Sequence, residues 1–150
     1  MMSSKSGMTL IVKNTARLVA GFIAVFGVYL AATGHLSPGG GFPGGVILAA
    51  AAVLVVLAFG KDFAGRLLRE PQCHVWDAAG AGAFLLVALC GYFAGGFFAN
   101  FLPAGQVHTL QSAGSIPLSN LAILVKVGAG LAGAFLALSA FRLALPKGDE

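Results

Sequence analysis

The sequence GHLSPGGGFPGG, residues 34–45, contains six glycines and two prolines, carries no formal charge and separates two strongly apolar runs. Glycine destabilises a helix and proline lacks the backbone N–H donor, so one helix cannot run straight through this stretch. Between two membrane-spanning helices, its backbone polar groups need partners from the protein or from water. We therefore expect a tight structural loop that is built from Ser37, Pro38, Gly39, Gly40, Gly41, Gly44 and Gly45.

Composition indicates a small helical membrane protein. Of the 150 residues, 58% are hydrophobic and only 9% are charged, which is too apolar for a soluble domain of this size. A helix needs about 20 mainly apolar residues to cross a bilayer. The apolar segments lie at residues 15–34, 44–59, 78–99 and 118–143. We therefore predict an all-α integral membrane protein with four transmembrane helices.

The distribution of lysine and arginine orients the predicted helices. Eight of the nine basic residues lie before or at the start of the first helix, between the second and third helices, or at the C-terminal end. The loops at residues 34–43 and 100–117 contain none. Because cytoplasmic loops are enriched in lysine and arginine, we expect both termini and the 60–77 loop in the cytoplasm. The predicted organisation is a cytoplasmic tail at residues 1–13, a four-helix membrane domain at residues 14–143 and a second cytoplasmic tail at residues 144–150. Topology accounts for the net charge of +4, which requires no nucleic-acid partner.

The sequence contains no recognisable enzyme, metal or cofactor site. The spacing Gly39-x-Gly41-x-x-Gly44 matches the dinucleotide fingerprint formally, but no strand precedes it and no acidic residue follows at the required distance. Cys73 has no second ligand pair with which to bind a metal, and it lies too far from Cys90 for a disulfide. The five acidic residues are all expected on the cytoplasmic side or at its interface: Asp62, Glu70, Asp77, Asp149 and Glu150. We therefore expect neither catalytic residues nor a cofactor in this chain.

Lys126, in the sequence ILVKVGAG of residues 123–130, is the one ionisable residue predicted deep inside a helix. It lies about 12 Å along the helix axis from residue 118, where a charge costs at least about 2.5 kcal/mol. One interpretation is that the lysine extends toward the outer side or pairs for packing alone. The other is that it faces a hydrated ion path or a carboxylate. Because no acidic residue is expected at that depth, a pairing carboxylate is predicted to come from another subunit.

The two loops that are predicted on the outer side contain His35 and His108. Either histidine could titrate at the mouth of a proton path. A hydrogen bond to loop backbone is the more usual role, and the carbonyl groups freed by the glycine turn are potential acceptors. The nearby polar residues are interpreted as loop and helix-capping residues: Asn100, Ser112, Ser115, Ser119 and Asn120.

Small residues on the predicted helices favour assembly with other membrane subunits. Gly91-x-x-x-Gly95 on the third helix, and Gly128, Gly130 and Gly133 on the fourth, would let helices approach closely. The 22 glycines exceed what the internal contacts of four short helices need. Tight packing inside the chain is the alternative interpretation for any single motif.

The pattern GHxSPGGGFxGG of residues 34–45, followed by an alanine-rich apolar helix, resembles the signature of the MrpB (MnhB) family. Members of this family are small membrane subunits of multisubunit Mrp-type cation/proton antiporters. Homologous subunits occur in the ion-translocating modules of membrane-bound hydrogenases and related ferredoxin-linked complexes. The resemblance covers about residues 14–143. It implies Na+/H+ exchange by the whole complex, partners among its other membrane subunits, and a location in the prokaryotic plasma membrane.

One departure from the family pattern bears on the driving force. The resemblance implies an acidic residue in the last helix of antiporter members, in a pattern like Phe-Asp-Leu-Gly-Val, where this chain has Lys126. Members with Lys-Val-Gly-Ala-Gly resemble the hydrogenase-type modules more closely. Three interpretations stay open: a subunit that contributes to an antiporter ion path, a non-catalytic subunit of a redox-driven complex, or a subunit that only packs larger subunits together. An independent small transporter is not expected.

Overall fold

The structure is a computed structural model that describes residues 8–60, 69–103, 105–106, 108–109 and 112–144, with the backbone alone at residues 140–144. Within these ranges it contains four long helices and no β-strand. They are α1 (Leu10–Ala32), α2 (Gly41–Phe59), α3 (Glu70–Cys90) and α4 (Ile116–Ala144), with a 3₁₀ turn at Gly91–Ala94 directly after α3. The predicted tails at residues 1–13 and 144–150 lie mostly outside the described residues.

Four helices in the described part of the chain are long and apolar enough to cross a membrane. The spans are Leu10–Ala32, Gly41–Phe59, Glu70–Ala94 and Ile116–Ser139. This confirms the predicted all-α class with four transmembrane helices.

The third helix differs most from its predicted position. It was expected at residues 78–99, but α3 begins at Glu70 and ends at Cys90. Pro71 is tolerated in the first turn because the N–H that it lacks would have no partner there, and Glu70 is favourable beside the positive end of the helix dipole. At the other end, the chain tightens into the 3₁₀ turn and Gly95 takes a φ of 110°. The predicted 60–77 loop therefore contains the first two turns of a helix.

The four helices pack in a row whose order is α1, α2, α4, α3. The extensive contacts are those of α1 with α2, α2 with α4, and α4 with α3. α1 also has a smaller contact with α4. The two helices that are neither first nor last in the row, α2 and α4, therefore form its centre.

The two ends of the bundle along the helix axes differ in their residues. α1 and α3 begin, and α2 ends, at what we call the basic end, where the Met8 N–H donates to Ala58 O at 3.1 Å. The basic residues Lys13, Arg17 and Arg69 lie at this end. The opposite end, which we call the glycine-loop end, contains the α1–α2 turn and the segment between α3 and α4.

Small side chains fill the interior of this bundle. Nine alanines are at most 7% exposed, and Val56, Cys73 and Leu124 are the other buried apolar residues of the described part. Large apolar side chains lie on the outside, as shown by Phe22 at 70% and Leu138 at 70% exposed. This distribution suits a protein whose surroundings are lipid or other membrane helices, because lipid offers no hydrophobic gain for burying large side chains.

The glycine-rich stretch divides into a turn and a helix start. Residues 33–40 form the turn, in which Ser37 N donates to Thr33 O at 3.0 Å and Thr33 Oγ1 donates to Tyr29 O at 2.8 Å. Gly40 needs its flexibility because its φ is 118°. The expectation of a loop through residue 45 is wrong, since Gly41, Gly44 and Gly45 belong to α2. Pro43 fits there because a helix leaves its first N–H groups without internal partners.

Candidate functional site

An ion pair joins α3 to α4 inside the predicted membrane region. Lys126 Nζ donates to Asp77 Oδ1 at 2.8 Å. Both residues lie within candidate membrane spans, Asp77 in Glu70–Ala94 and Lys126 in Ile116–Ser139. By helix rise, Asp77 is about 10 Å from the start of α3 and Lys126 about 15 Å from the start of α4. The pair therefore lies in the interior of the spans along the bundle axis.

Glycines on both helices set the register that brings the two charges together. A Cβ on Gly80 would lie only 2.7 Å from Lys126 N, so the α3 backbone passes directly beside the lysine. On α4, a Cβ on Gly130 would lie 3.4 Å from Asp77 Oδ1. One turn further along, a Cβ on Gly133 would lie 3.1 Å from Cys73 Cβ. These contacts define an antiparallel pair of helices. Their close approach brings the side chains of Lys126 and Asp77 within reach of each other.

The ion pair is open to the surroundings of the chain. The side chains of Lys126 and Asp77 are 48% and 36% exposed. Ionisable residues in membrane helices almost always face a bundle interior, a water-filled cavity or each other, because hydrocarbon does not solvate charge. An exposed pair at this depth therefore needs a polar neighbour or water beyond this chain.

The structure corrects the prediction that the partner of Lys126 is a carboxylate of another subunit. Asp77 was expected at the cytoplasmic interface because the polar residues that precede Ala78 lowered the apolar character of the segment. Since α3 starts at Glu70, Asp77 reaches the depth of Lys126 and supplies the carboxylate from within the chain. The signal that could have located it is the dipeptide Glu70-Pro71, which is typical of a helix start.

The histidines His35 and His108 lie at the glycine-loop end, away from the ion pair along the bundle axis. His35 Nε2 is 3.3 Å from Thr109 O, so this histidine connects the two loops at that end. The acceptor is a carbonyl of the second loop rather than of the glycine turn. Within the described residues, the buried Nδ1 of His35 has no hydrogen-bond partner. His108 is exposed and has a φ of 67°.

The glycine-rich segment serves close packing at the centre of the row. A Cβ on Gly41 would collide with Asn120 O of α4, and one on Gly45 would lie 2.7 Å from Val127 Cβ. On the other side, a Cβ on Gly44 would lie 2.6 Å from Gly27 O of α1. The first turns of α2 therefore contact both neighbouring helices at backbone distance. Ser37 and Pro38 lie in the preceding turn, where Ser37 Oγ donates to Thr33 O at 3.2 Å.

Lys126 and Asp77 form the ion pair that the structure shows between the side chains of the described residues. No group of three histidine, cysteine, aspartate or glutamate residues could hold a metal there. Cys73 and Cys90 are both free thiols. The Lys126–Asp77 pair is therefore the candidate site that the described residues offer.

Residues 11–133 match a protein family described as a domain related to the MnhB subunit of Na+/H+ antiporter. Among curated proteins, the chain is 34% identical to the uncharacterized protein MJ1307 of Methanocaldococcus jannaschii, over 93% of this chain and 55% of that protein. It is 40% identical to a Na(+)/H(+) antiporter subunit of Bacillus subtilis, over 62% of each.

A solved structure of similar fold belongs to the membrane-bound sulfane sulfur reductase, an archaeal respiratory membrane complex. One of its chains matches with a TM-score of 0.73 and 29% identity, over 90% of this chain and 62% of the other. The chain thus spans between 55% and 62% of the length of these three relatives.

Proposed function

This chain belongs to the family of domains related to the MnhB subunit of Na+/H+ antiporters, and on that premise we propose that its Lys126–Asp77 pair forms part of an ion path in a Mrp-type complex. The chain is an MnhB-like subunit of an antiporter-type complex, and its partners are other membrane subunits. The substrates of the complex are Na+ and H+, and the subunit contributes to assembly as well as to the path.

The observation that carries this proposal is the 2.8 Å ion pair at the depth of the spans, with both side chains partly exposed. Ionisable residues at this depth mark ion pathways, because their charges are tolerated only beside water, polar neighbours or one another. A neighbouring subunit or a hydrated cleft against α3 and α4 would supply that solvation. In this proposal the entrance of the path lies at the glycine-loop end, near His35 and His108.

A second candidate is the same subunit within a redox-driven membrane complex. The similarity to a chain of the archaeal sulfane sulfur reductase complex favours it. In that setting the subunit is non-catalytic and the driving force comes from an electron-transfer arm carried by other subunits. Purification of the native complex through a tag on this chain, followed by identification of its subunits, distinguishes the two settings.

The test of the ion path is transport by the assembled complex in sealed vesicles. We expect Lys126→Met and Asp77→Asn each to lower Na+-dependent proton transport about tenfold, a factor equivalent to roughly 1.4 kcal/mol, while the complex still assembles. Lys13→Met is the matched control, because Lys13 is a lysine at the basic end that lies over the Phe59 ring at 5.8 Å. Unchanged transport in both pair variants would show that the pair is not in the path.

The double variant in which the two residues are exchanged, Lys126→Asp with Asp77→Lys, distinguishes a role in ion movement from a purely structural role. A pair that only holds α3 against α4 tolerates the exchange, since opposite charges still meet. A pair that serves ion movement does not, since the positive and the negative charge change places along the path. Full transport in the exchanged variant, or loss of assembly alone in the single variants, would identify a packing subunit instead.

We place the subunit in the plasma membrane of a prokaryotic cell with the basic end in the cytoplasm, following the distribution of lysine and arginine. Lys13, Arg17 and Arg69 support that orientation because all three lie at one end of the described bundle. Labelling of single cysteines at residues 8 and 36 in intact cells tests it, with reaction expected only at residue 36.

A further inference from the structure

A groove of about 510 Å³ opens on one side of the helix row, and neither Lys126 nor Asp77 lines it. All four helices contribute to it, and most of its lining is alanine, glycine, leucine or valine. Its volume falls within the range of roughly 300–1,000 Å³ that is typical of small-molecule sites. The groove needs an occupant, because such a cleft would otherwise leave small apolar residues without packing partners.

The position of the groove along the bundle corresponds to a single leaflet of a membrane. Its lining runs from Leu48 to Val55 on α2 and from Arg69 to Trp76 on α3. Each of these segments is about 10 Å long, about a third of the ~30 Å hydrocarbon thickness, and so fits within one leaflet. The Arg69 side of the groove coincides with the basic end, and the groove stops near the middle of the bundle.

The polar side chains of the groove are concentrated at the basic end. Arg69 and Gln72 line it there, whereas the deeper wall is apolar except for Cys73 and Trp76. Within the described residues, the Arg69 side chain forms no ion pair or hydrogen bond. Trp76 is 61% exposed, and its indole N–H likewise has no partner there. Arg69 therefore gives the lining of the groove a positive charge at this end.

We propose that the groove binds an anionic phospholipid. The acyl chain lies along Leu48, Ala52 and Val125, and the phosphate contacts the Arg69 guanidinium, with Gln72 as a further donor. A basic residue at the end of an apolar cleft between membrane helices is complementary to such a headgroup. The guanidinium suits it because its planar fork can donate two hydrogen bonds to one phosphate. This site is independent of the proposed ion path.

Lipid binding to the full-length protein in detergent, measured by native mass spectrometry, tests the proposal. Phosphatidylglycerol is the anionic probe and phosphatidylcholine the zwitterionic one. We expect Arg69→Gln to weaken phosphatidylglycerol binding about fivefold and to leave phosphatidylcholine binding unchanged. Arg17→Gln is the matched control, because Arg17 lies over the Phe59 ring at 5.2 Å and does not line the groove.

A second pair of variants tests the apolar wall. Ala52→Leu fills the groove and should weaken binding of both lipids, whereas Ala50→Leu, on the exposed side of the same helix, should change neither. Equal phosphatidylglycerol binding in the original protein, Arg69→Gln and Ala52→Leu would overturn the proposal.

The occupant in the native membrane is identified with a photoreactive benzoylphenylalanine in place of Trp76. A covalent adduct with the mass of a phospholipid supports the proposal. An adduct with another protein chain, or the absence of a lipid adduct, contradicts it and assigns the groove to a helix of a partner subunit.

Discussion

Two asparagine side chains hold the backbone at the glycine-loop end of the molecule. Asn100 Oδ1 accepts from Ser115 N at 2.9 Å, one residue before α4 begins, and Asn120 Oδ1 is 3.4 Å from Gly41 N, at the start of α2. Each amide oxygen thus bonds to a backbone N–H that the helix itself cannot satisfy. The sequence predicted loop and capping roles for both residues, but the partners lie 15 and 79 positions away and depend on the fold.

Replacing Asn100 by alanine should lower the stability of the protein. The substitution leaves the N–H of the buried Ser115 without its acceptor, and we expect a loss of about 1 kcal/mol. The midpoint of thermal unfolding in detergent measures the change. Ser112→Ala serves as the control, because the Ser112 side chain makes no hydrogen bond within the described residues. Equal midpoints for the two variants would contradict this role of Asn100.

The ion pair shows what single residues can and cannot reveal in a sequence. Lys126 stood out because charge is rare inside an apolar helix. Its partner did not, because Asp77 adjoins the polar residues of the third helix start and resembles part of a loop. Pairing across 49 positions is decided by the register of α3 on α4. That register depends on the space that Gly80 and Gly130 leave free, which only the packed helices define.

At the scale of helices, glycines determine how closely neighbouring helices approach each other. The effect of a glycine depends on whether it faces another helix. Gly45 of α2 faces Val127 and the Leu124 carbonyl of α4. Gly21 of α1 has no atom within 4 Å of its added Cβ, and the same is true of Gly82 of α3. The amino-acid composition cannot distinguish these residues. The distances from an added Cβ show which glycines contact a neighbouring helix and which do not.

Gly45→Ala should therefore destabilise the bundle, while Gly21→Ala should not. The added methyl group at residue 45 would lie 2.7 Å from Val127 Cβ and must push the central helices apart, at a cost of about 1–3 kcal/mol. At residue 21, alanine fits freely and favours the helix. Thermal unfolding of the two variants, side by side, measures the difference. A similar loss in both would mean that the α2–α4 contact is not as close as described.

The register of α3 on α4 is open to a direct chemical test. Gly133→Cys would place a second Cβ 3.1 Å from that of Cys73, so that a separation of the helices by about 0.4 Å brings the two atoms into the ~3.5–4.5 Å range of disulfides. Mild oxidation should then form an internal disulfide, detected by mass spectrometry as two thiols that no longer react with an alkylating reagent. The same variant with Cys73→Ser should keep its thiols, as should Gly82→Cys. Free thiols at residues 73 and 133 after oxidation would contradict the register.

The sequence predicted the first residues of some helices more accurately than those of others. α2 and α4 begin within three residues of their predicted starts, because apolar sequence coincides with helix there. α3 begins eight residues early, since Gln72, His74 and Asp77 are polar yet helical. Hydropathy reflects the free energy of placing a segment in lipid. The position of a helix start depends instead on how the first backbone N–H groups, which have no partner within the helix, are accommodated. Those two properties diverge where a helix continues beyond its apolar part.

For the molecule as a whole, the row of helices consists of two hairpins that meet along a single seam. α1 and α2 form one hairpin, α3 and α4 form the other, and the α2–α4 contact is the main junction. Exposed large side chains on the outer surfaces leave the row ready to contact lipid or further subunits. Such outer surfaces suit a subunit whose partners are other membrane subunits.

Two separate chains, each containing one helical hairpin, should associate into the four-helix protein. We expect coexpressed chains of residues 1–64 and 65–150 to copurify through a tag on one of them, because each hairpin retains its own helix pair and the seam. Gly45→Leu, at the seam, should reduce the recovery of the untagged chain, whereas Gly21→Leu should not. Failure of the unmodified pieces to copurify would show that the covalent link is required.

The central position of α4 has a consequence for synthesis of the protein on the ribosome. The face of α2 that contains Gly41 and Gly45 stays uncovered until α4 has emerged, and so does the face of α3 that contains Gly80. The four-helix core is therefore completed only once α4 has been made. A chain truncated before α4 would lack the helix surface that covers Gly41 and Gly45 of α2 and Gly80 of α3.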